Sequence, residues 1–259
     1  MTDTPAEGGE YARYRDGVFQ LRRSDAEWLS TGWNGGRWQA DCAYNVSVPE
    51  GWERTDLERY ASERLERAGF ANSGPVLFTG VDVADARGAR CGPVTVYATA
   101  GVSNPAALPM DPADGSLPDT DAPKTDESAT EPPTGTVNLV VYTTRRLSEG
   151  ALPNVLTVAA EAKAATLLAE TGFPGTTTDA VIVGHDPAGP AAAFSGSGTA
   201  VGAATRACVR DAVRASLRAH YDGTDVALPD SVEDAKYGVS TDVRTAPVRP
   251  RSEPGPDGT

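Results

Sequence analysis

Lysine, histidine and cysteine are all scarce in this chain, and each scarcity closes off a class of function. Of 23 basic residues only Lys124, Lys163 and Lys236 are lysine, against 36 acidic residues, for a formal net charge of −13. A balance of that sign argues against a broad surface for nucleic acid or for an anionic membrane. The two histidines, His185 and His220, and the three cysteines, Cys42, Cys91 and Cys208, lie far apart. They make no CxxC knuckle, no His-rich zinc centre and no disulfide framework, so no metal is expected, and a reducing cytoplasm is the expected compartment. No run of 18 apolar residues could span a bilayer, and residues 1–10 lack a basic region followed by an apolar one.

What the chain does have is carboxylate excess, arginine in place of lysine, and much Ala, Gly and Val. That composition fits a surface built for high salt, where carboxylates stay hydrated and counter-ions screen their repulsion. An ordinary acidic cytosolic protein from a GC-rich genome is the alternative. At 259 residues the length suits one sizeable α/β domain with tails.

Three segments are expected to be disordered: residues 1–12, an internal stretch over 105–133, and a tail over 229–259. The internal stretch is dense in Pro, Asp, Ser and Thr, with Leu108, Met110 and Leu117 as its few large apolar residues. Too little apolar surface is available there to offset ordering entropy. Strand-like sequence flanks it on both sides, so it reads as an insertion into a single domain over 13–228. Within that domain, 18–22 and 38–48 read as strands, with Trp38, Ala40, Cys42, Tyr44 and Val46 on one face. A helix is expected over 55–70, with Thr55 and Glu58 as a capping box and Leu57, Tyr60, Ala61 and Leu65 as its apolar stripe. Residues 76–80, 94–102, 136–143 and 180–184 are β-branched runs suited to strands covered on both faces. Long helices are predicted over 151–171 and 200–221. Strands and helices interleave, which predicts an α/β domain, or a layered α+β one, with a mixed sheet packed by about three main helices.

Small polar motifs punctuate these elements. Thr31-Gly32-Trp33-Asn34-Gly35-Gly36 reads first as a hairpin turn, with Trp33 as a flat surface for stacking or plain packing. Thr99-Ala100-Gly101-Val102-Ser103-Asn104 closes one buried strand, and Gly135-Thr136-Val137-Asn138 opens another. Such clusters at strand ends line clefts in α/β enzymes, and Asn104 and Asn138 could donate to a developing oxyanion, although an isolated Asn is more often a turn or edge residue. On the helix over 151–171, Lys163 falls in the stripe formed by Leu152, Val155, Leu156, Ala159, Thr166 and Leu167. Glu161 falls almost opposite, among Val158, Ala162, Ala165 and Leu168. Gly175-Thr176-Thr177-Thr178-Asp179 leads into a buried strand, which makes Asp179 either a base or a turn cap. Ser195-Gly196-Ser197-Gly198-Thr199 precedes a helix and reads as an N-cap with possible anion binding, without a P-loop lysine. His185, just past its strand, reads as a strand-end residue, with a catalytic histidine as the alternative.

In this order the motifs resemble the adenosylcobinamide amidohydrolase family over roughly residues 25–220. The resemblance rests on residues 31–36, Asn45, residues 99–104 and 135–138, Glu161-Ala162-Lys163, and Thr177-Thr178-Asp179. It implies hydrolysis of the amide between the corrin propionyl group and aminopropanol, yielding adenosylcobyric acid for cobalamin salvage. A corrinoid substrate is then the partner, and cobalt enters only with it, so no cofactor is expected. Two departures stand out: the acidic stretch at 105–133 separates motifs the family keeps closer, and Ala160 stands where Thr is expected. The mechanism is left open. In one route a carboxylate, Glu161 or Asp179, activates water, Lys163 supplies charge or a proton, and Asn104 and Asn138 hold the oxyanion. In the other a hydroxyl of Thr99, Ser103 or Thr177 attacks covalently. Trp33, Asn34, Gly35, Gly36, Asn45, Ser103, Thr136, Thr177 and Thr178 complete the candidate substrate-binding set. A non-catalytic corrinoid-binding protein, or an amidohydrolase of another amide or of complete pseudo-cobalamins, is the competing expectation.

Overall fold

The computed structural model describes residues 11–49, 56–118, 135–224, 227–235 and 237–250. In chain order these form β1 (Tyr11–Arg15), β2 (Val18–Arg22), β3 (Glu27–Ser30), β4 (Gly36–Gln39), β5 (Cys42–Ser47), α1 (Leu57–Arg67) and β6 (Val76–Thr79). A 3-10 turn (Val83–Asp85), β7 (Arg87–Cys91), β8 (Val94–Ala100), β9 (Ala106–Ala107), β10 (Val137–Thr143) and β11 (Arg146–Leu147) follow. The chain continues through α2 (Ala151–Thr171), β12 (Ala180–His185), β13 (Ala191–Ala192), α3 (Ala200–Tyr221) and β14 (Val239–Ser240).

Two mixed sheets stack face to face, where a single sheet was expected. One has the order β1-β2-β5-β6, the other β4-β3-β12-β10-β8-β7. Three apolar cores define four layers. Tyr60, Ala61 and Phe70 pack α1 and its following turn on Val18, Tyr44 and Val46 of the first sheet. Phe19, Leu21, Trp28, Leu77, Val140 and Ile182 fill the space between the sheets. Val96, Ala98, Leu139, Val141, Val181 and Val183 pack against α2 and α3 on the far side. Every residue of β10 is buried, as its unbroken apolar run demands of a strand covered on both faces. The parallel pair β10 and β12 is joined through α2 in a βαβ crossover.

The run over 38–48 is not one strand. It breaks at Ala40-Asp41, where the chain passes from the second sheet to the first: Ala40 N donates to Ala26 O, and Asp41 O accepts from Arg23 N. The alternation survives the break, but Trp38 and Ala40 face the inter-sheet core while Cys42, Tyr44 and Val46 face α1. Asp56 caps α1 by accepting from Arg59 N, displacing the expected capping box; Thr55 lies outside the described residues.

The expected disorder is also revised where the chain is described. Tyr11 and Ala12 belong to β1. β9, inside the acidic stretch, pairs in parallel with β14, inside the tail, and Arg244 bonds Asp114 and the Pro112 carbonyl. Backbone ladders and a surface ion pair hold these segments, and neither depends on the apolar burial that their composition lacks. Residues 119–134 and 251–259 lie outside the described residues.

Candidate active site

Strand direction brings the motifs to one edge. β8 runs antiparallel to β10, so Ala100 faces Val137; β10 runs parallel to β12, so Asn138 faces Ala180; β3 runs antiparallel to β12, so Ser30 faces Ile182. The ends of β3 and β8 therefore meet the beginnings of β10 and β12. At this edge lie residues 31–36, 101–104, 135–136 and 175–179.

Between the sheets, Asn45 of β5 donates to Thr99 Oγ1 at 2.9 Å and accepts from Asn138 Nδ2 at 3.0 Å. Asn138 Nδ2 also donates to the Phe78 carbonyl at 2.8 Å, and its Oδ1 accepts from Ala180 N. Both amide hydrogens of Asn138 are thus used inside the protein, and it has none left for an oxyanion. The triad of Asn45, Thr99 and Asn138 ties the two sheets together at the site.

Nearer the surface, Asn104 Nδ2 donates to Thr177 Oγ1 at 2.6 Å and, at 3.4 Å, to Thr178 Oγ1. Thr178 and Thr136 hydroxyls lie 2.8 Å apart, and both reach the Gly135 carbonyl. Asn104 is completely buried, yet its Oδ1 has no hydrogen-bond partner among the described residues. A buried acceptor without a donor costs on the order of 1–3 kcal/mol. Gly135 makes room for it, because a Cβ there would collide with Asn104 Oδ1 and with Ser103 N and Oγ. Thr177 and Thr178 are exposed residues, so the buried amide is bonded to side chains that lie at the surface.

On the helix side, Lys163 Nζ pairs with Asp179 Oδ2, and the two side chains are only 11% and 10% exposed. Asp179 also accepts from Val137 N at 2.8 Å, Thr176 N at 3.0 Å and Thr176 Oγ1. Four donors on one carboxylate commit its lone pairs. Glu161 is not part of this edge; as its helical position implied, it points away from Lys163 and pairs with Arg206 of α3 at 2.7 Å, with its side chain 58% exposed.

The expected hairpin joins β3 and β4, with Gly36 at φ +108°. Thr31 extends the ladder, bonding Val181 through its backbone N–H and its hydroxyl. The Asn34 carbonyl accepts from Trp38 Nε1, and a Cβ on Gly35 would lie 2.6 Å from the Ser30 carbonyl. Trp33 is 40% exposed, with its ring 6.1 Å from that of Phe78, itself 5.9 Å from Tyr60. Half-buried Phe78 backs Trp33 and is backed in turn by Tyr60 of the α1 core, and only tertiary proximity could have linked them.

Other motifs lie elsewhere. His185 accepts from Leu147 N at the opposite end of β12 and reaches Glu27. Ser195 bonds Ala151 O and Asn154, and Thr199 caps α3 by accepting from Gly202 N. The last two turns of α3 arrive at the motif edge unforeseen: Ser216 Oγ accepts from Ala100 N, Tyr221 Oη accepts from Val102 N, and His220 Nδ1 lies 3.0 Å from Asp85 Oδ2. No local spacing signals a pair separated by 135 positions. Among the described residues no three His, Cys, Asp or Glu side chains gather to hold a metal ion, and no helix is long and apolar enough to cross a membrane.

The family model for adenosylcobinamide amidohydrolase matches residues 2–225. A Halobacterium salinarum protein named adenosylcobinamide amidohydrolase is 58% identical over 237 residues, 91% of this chain and 97% of that one. A Methanosarcina mazei protein of the same name is 31% identical over 166 residues, covering 63% and 72% of the two chains. The crystal structure of the PH0078 protein from Pyrococcus horikoshii covers 80% of this chain and 78% of its own, at 13% identity and a TM-score of 0.40, too loose a match to bear on function. The chain, matched by the family model along nearly its whole length, belongs to the adenosylcobinamide amidohydrolase family.

Proposed function

We propose that this protein is an amidohydrolase that cleaves the amide between the corrin propionyl group and aminopropanol of adenosylcobinamide, releasing adenosylcobyric acid for cobalamin salvage. Family membership supports the reaction. The observation that carries the site is convergence: the motifs of four strand ends meet at one edge, where the buried amide of Asn104 holds the hydroxyls of two exposed threonines.

Each side chain then has a distinct task. Ser103, Thr177 and Thr178 hold the scissile amide, and Asn104, buried behind them, orients the two threonine hydroxyls. Trp33, backed by Phe78, offers a flat face to the corrin, and the turn over Asn34–Gly36 sets its position. Asn45, Thr99, Asn138 and Thr136 fix the strand ends, while the Lys163–Asp179 pair fixes the turn that presents Thr177 and Thr178. The protein needs no resident cofactor, since the cobalt is part of the substrate. It works in the cytoplasm, and its acidic surface is an adaptation to high salt.

The test is incubation of purified protein with adenosylcobinamide, followed by chromatography for cobyric acid and free aminopropanol. Appearance of both in equal amounts is expected. Corrinoid bound but recovered intact would overturn the reading in favour of a carrier.

A further inference from the structure

Hydrolysing an amide requires a group that takes a proton from water and returns one to the departing amine. Among the described residues, the charged pair at the motif edge is otherwise engaged, since Asp179 holds four donors and Lys163 holds Asp179, and Glu161 lies away from the edge against α3. We infer that His220, oriented by Asp85, is the proton-transfer residue of the hydrolysis. The inference rests on the reading of the chain as a hydrolase of adenosylcobinamide.

His220 occupies the last turn of α3, with Nδ1 3.0 Å from Asp85 Oδ2. Asp85 is itself fixed: its N–H donates to the Asp82 carbonyl at 2.9 Å, and its carbonyl accepts from Ser216 Oγ at 3.0 Å. The same Ser216 hydroxyl accepts from Ala100 N, and Tyr221 accepts from Val102 N, so the helix end grips the chain on both sides of Gly101. Gly101 has no side chain to keep the imidazole off. A Cβ there would stand 3.2 Å from His220 Nε2 and 2.8 Å from Val81 Cγ2. The ring thus lies against the segment that carries Thr99 on one side and Ser103 and Asn104 on the other. Ser103 follows Gly101 by two residues, a Cα separation of at most about 7 Å.

A carboxylate on Nδ1 keeps the proton there and leaves Nε2 an acceptor, the tautomer a general base needs. Nε2 has no hydrogen-bond partner among the described residues, and the side chain is 28% exposed. In the reaction, Nε2 takes a proton from water as the water oxygen bonds to the amide carbon. The imidazolium then gives that proton to the amine nitrogen as the C–N bond breaks, releasing a carboxylic acid and aminopropanol. Asp85 on the 3-10 turn and Tyr221 on its own helix contact His220; the other charged groups on that turn are turned to its backbone, Asp82 accepting from Ala84 N and Arg87 donating to the Ala84 and Ala86 carbonyls. Burial pushes the Tyr221 phenol up, which keeps it neutral at working pH.

The alternative role is complementing the C-terminal charge of α3, which needs a cation but no free Nε2. His220→Asn removes both Nε2 and any charge while its amide still reaches Asp85, so the readouts separate the two roles: lost charge complementation lowers the thermal transition, whereas lost proton transfer lowers kcat; His220→Gln and Asp85→Asn are made alongside. For enzyme that turns over as wild type, kcat in His220→Asn and His220→Gln should fall about 10²–10⁴-fold. KM and the thermal transition should be unchanged, and the acidic limb of the kcat profile should disappear. Asp85→Asn should fall between. Histidine variants that keep kcat within twofold of wild type, or that keep the acidic limb, overturn the inference. A wild type that releases no aminopropanol overturns the functional reading, and this inference falls with it.

Discussion

Lys163 of α2 and Asp179 at the entrance to β12 form a buried ion pair that joins the helix layer to the turn bearing Thr177 and Thr178. The two residues lie 16 positions apart, on either side of the turn that follows α2. The pair explains why a lysine sits in the apolar stripe of a core helix: its charge is met inside the protein.

Removing one member leaves the other charged and buried. Lys163→Met should cost about 3–5 kcal/mol, toward the lower end because Asp179 keeps three other donors. Urea unfolding measures it, and a loss below about 1 kcal/mol would show the pair to be incidental.

Glu161 should be dispensable. Its ion pair with Arg206 joins two largely solvated side chains, so Glu161→Gln should change stability by less than about 1 kcal/mol and leave kcat within twofold. A large loss of turnover would return this carboxylate to the chemistry.

Gly135→Ala tests the setting of Asn104. The added methyl collides with Asn104 Oδ1 and the Ser103 backbone, so the amide must shift. Turnover should drop about 10²-fold, as for an angstrom-scale misplacement of a reacting group. The chain should still fold, at a cost of about 1–3 kcal/mol. Unaltered kinetics would remove Asn104 from the site.

The thiols should respond unequally. Cys91 is exposed, whereas Cys42 and Cys208 are buried, so an aromatic disulfide reagent should titrate one thiol in native protein and three after unfolding. Burial pushes the Cys208 thiol from its ordinary 9 up to about 11, with Cys91 and Asp211 adding to the shift. Unfolded chains release that proton near pH 9 while the folded protein holds it. Stability present below pH 9 is therefore lost as pH rises toward 11. Denaturant midpoints across that window should fall, and less steeply in Cys208→Ala.

Salt should stabilise the fold. With a net charge of −13, raising KCl from about 0.1 to 2 M shortens the Debye length from about 10 Å to a few ångströms and screens self-repulsion. The melting temperature should climb by about 2–4 °C for each kcal/mol gained. A flat or falling curve would assign the acidity to genome composition.

Much of this architecture was legible locally. The 3.6-residue pattern predicts helices over 151–171 and 200–221, and α2 and α3 occupy those spans. β10 and β12 follow from unbroken β-branched runs, and Asn34-Gly35-Gly36 forms the turn its glycines allow. The switch of sheets at Ala40-Asp41 was not legible, because alternation continues through it. Nor was the pairing of β9 with β14, since backbone hydrogen bonds need no particular side chains.

By itself, then, the sequence determined the helices, the buried strands and the motifs worth watching, because each depends on neighbours a few positions away. Strand order and direction decided which motifs would meet. They placed Asn45, Thr99, Asn104, Asn138 and Asp179 at one edge, left Glu161 and His185 outside it, and carried His220 to Asp85. Those relationships span tens to more than a hundred positions, and only packing of whole layers sets such distances.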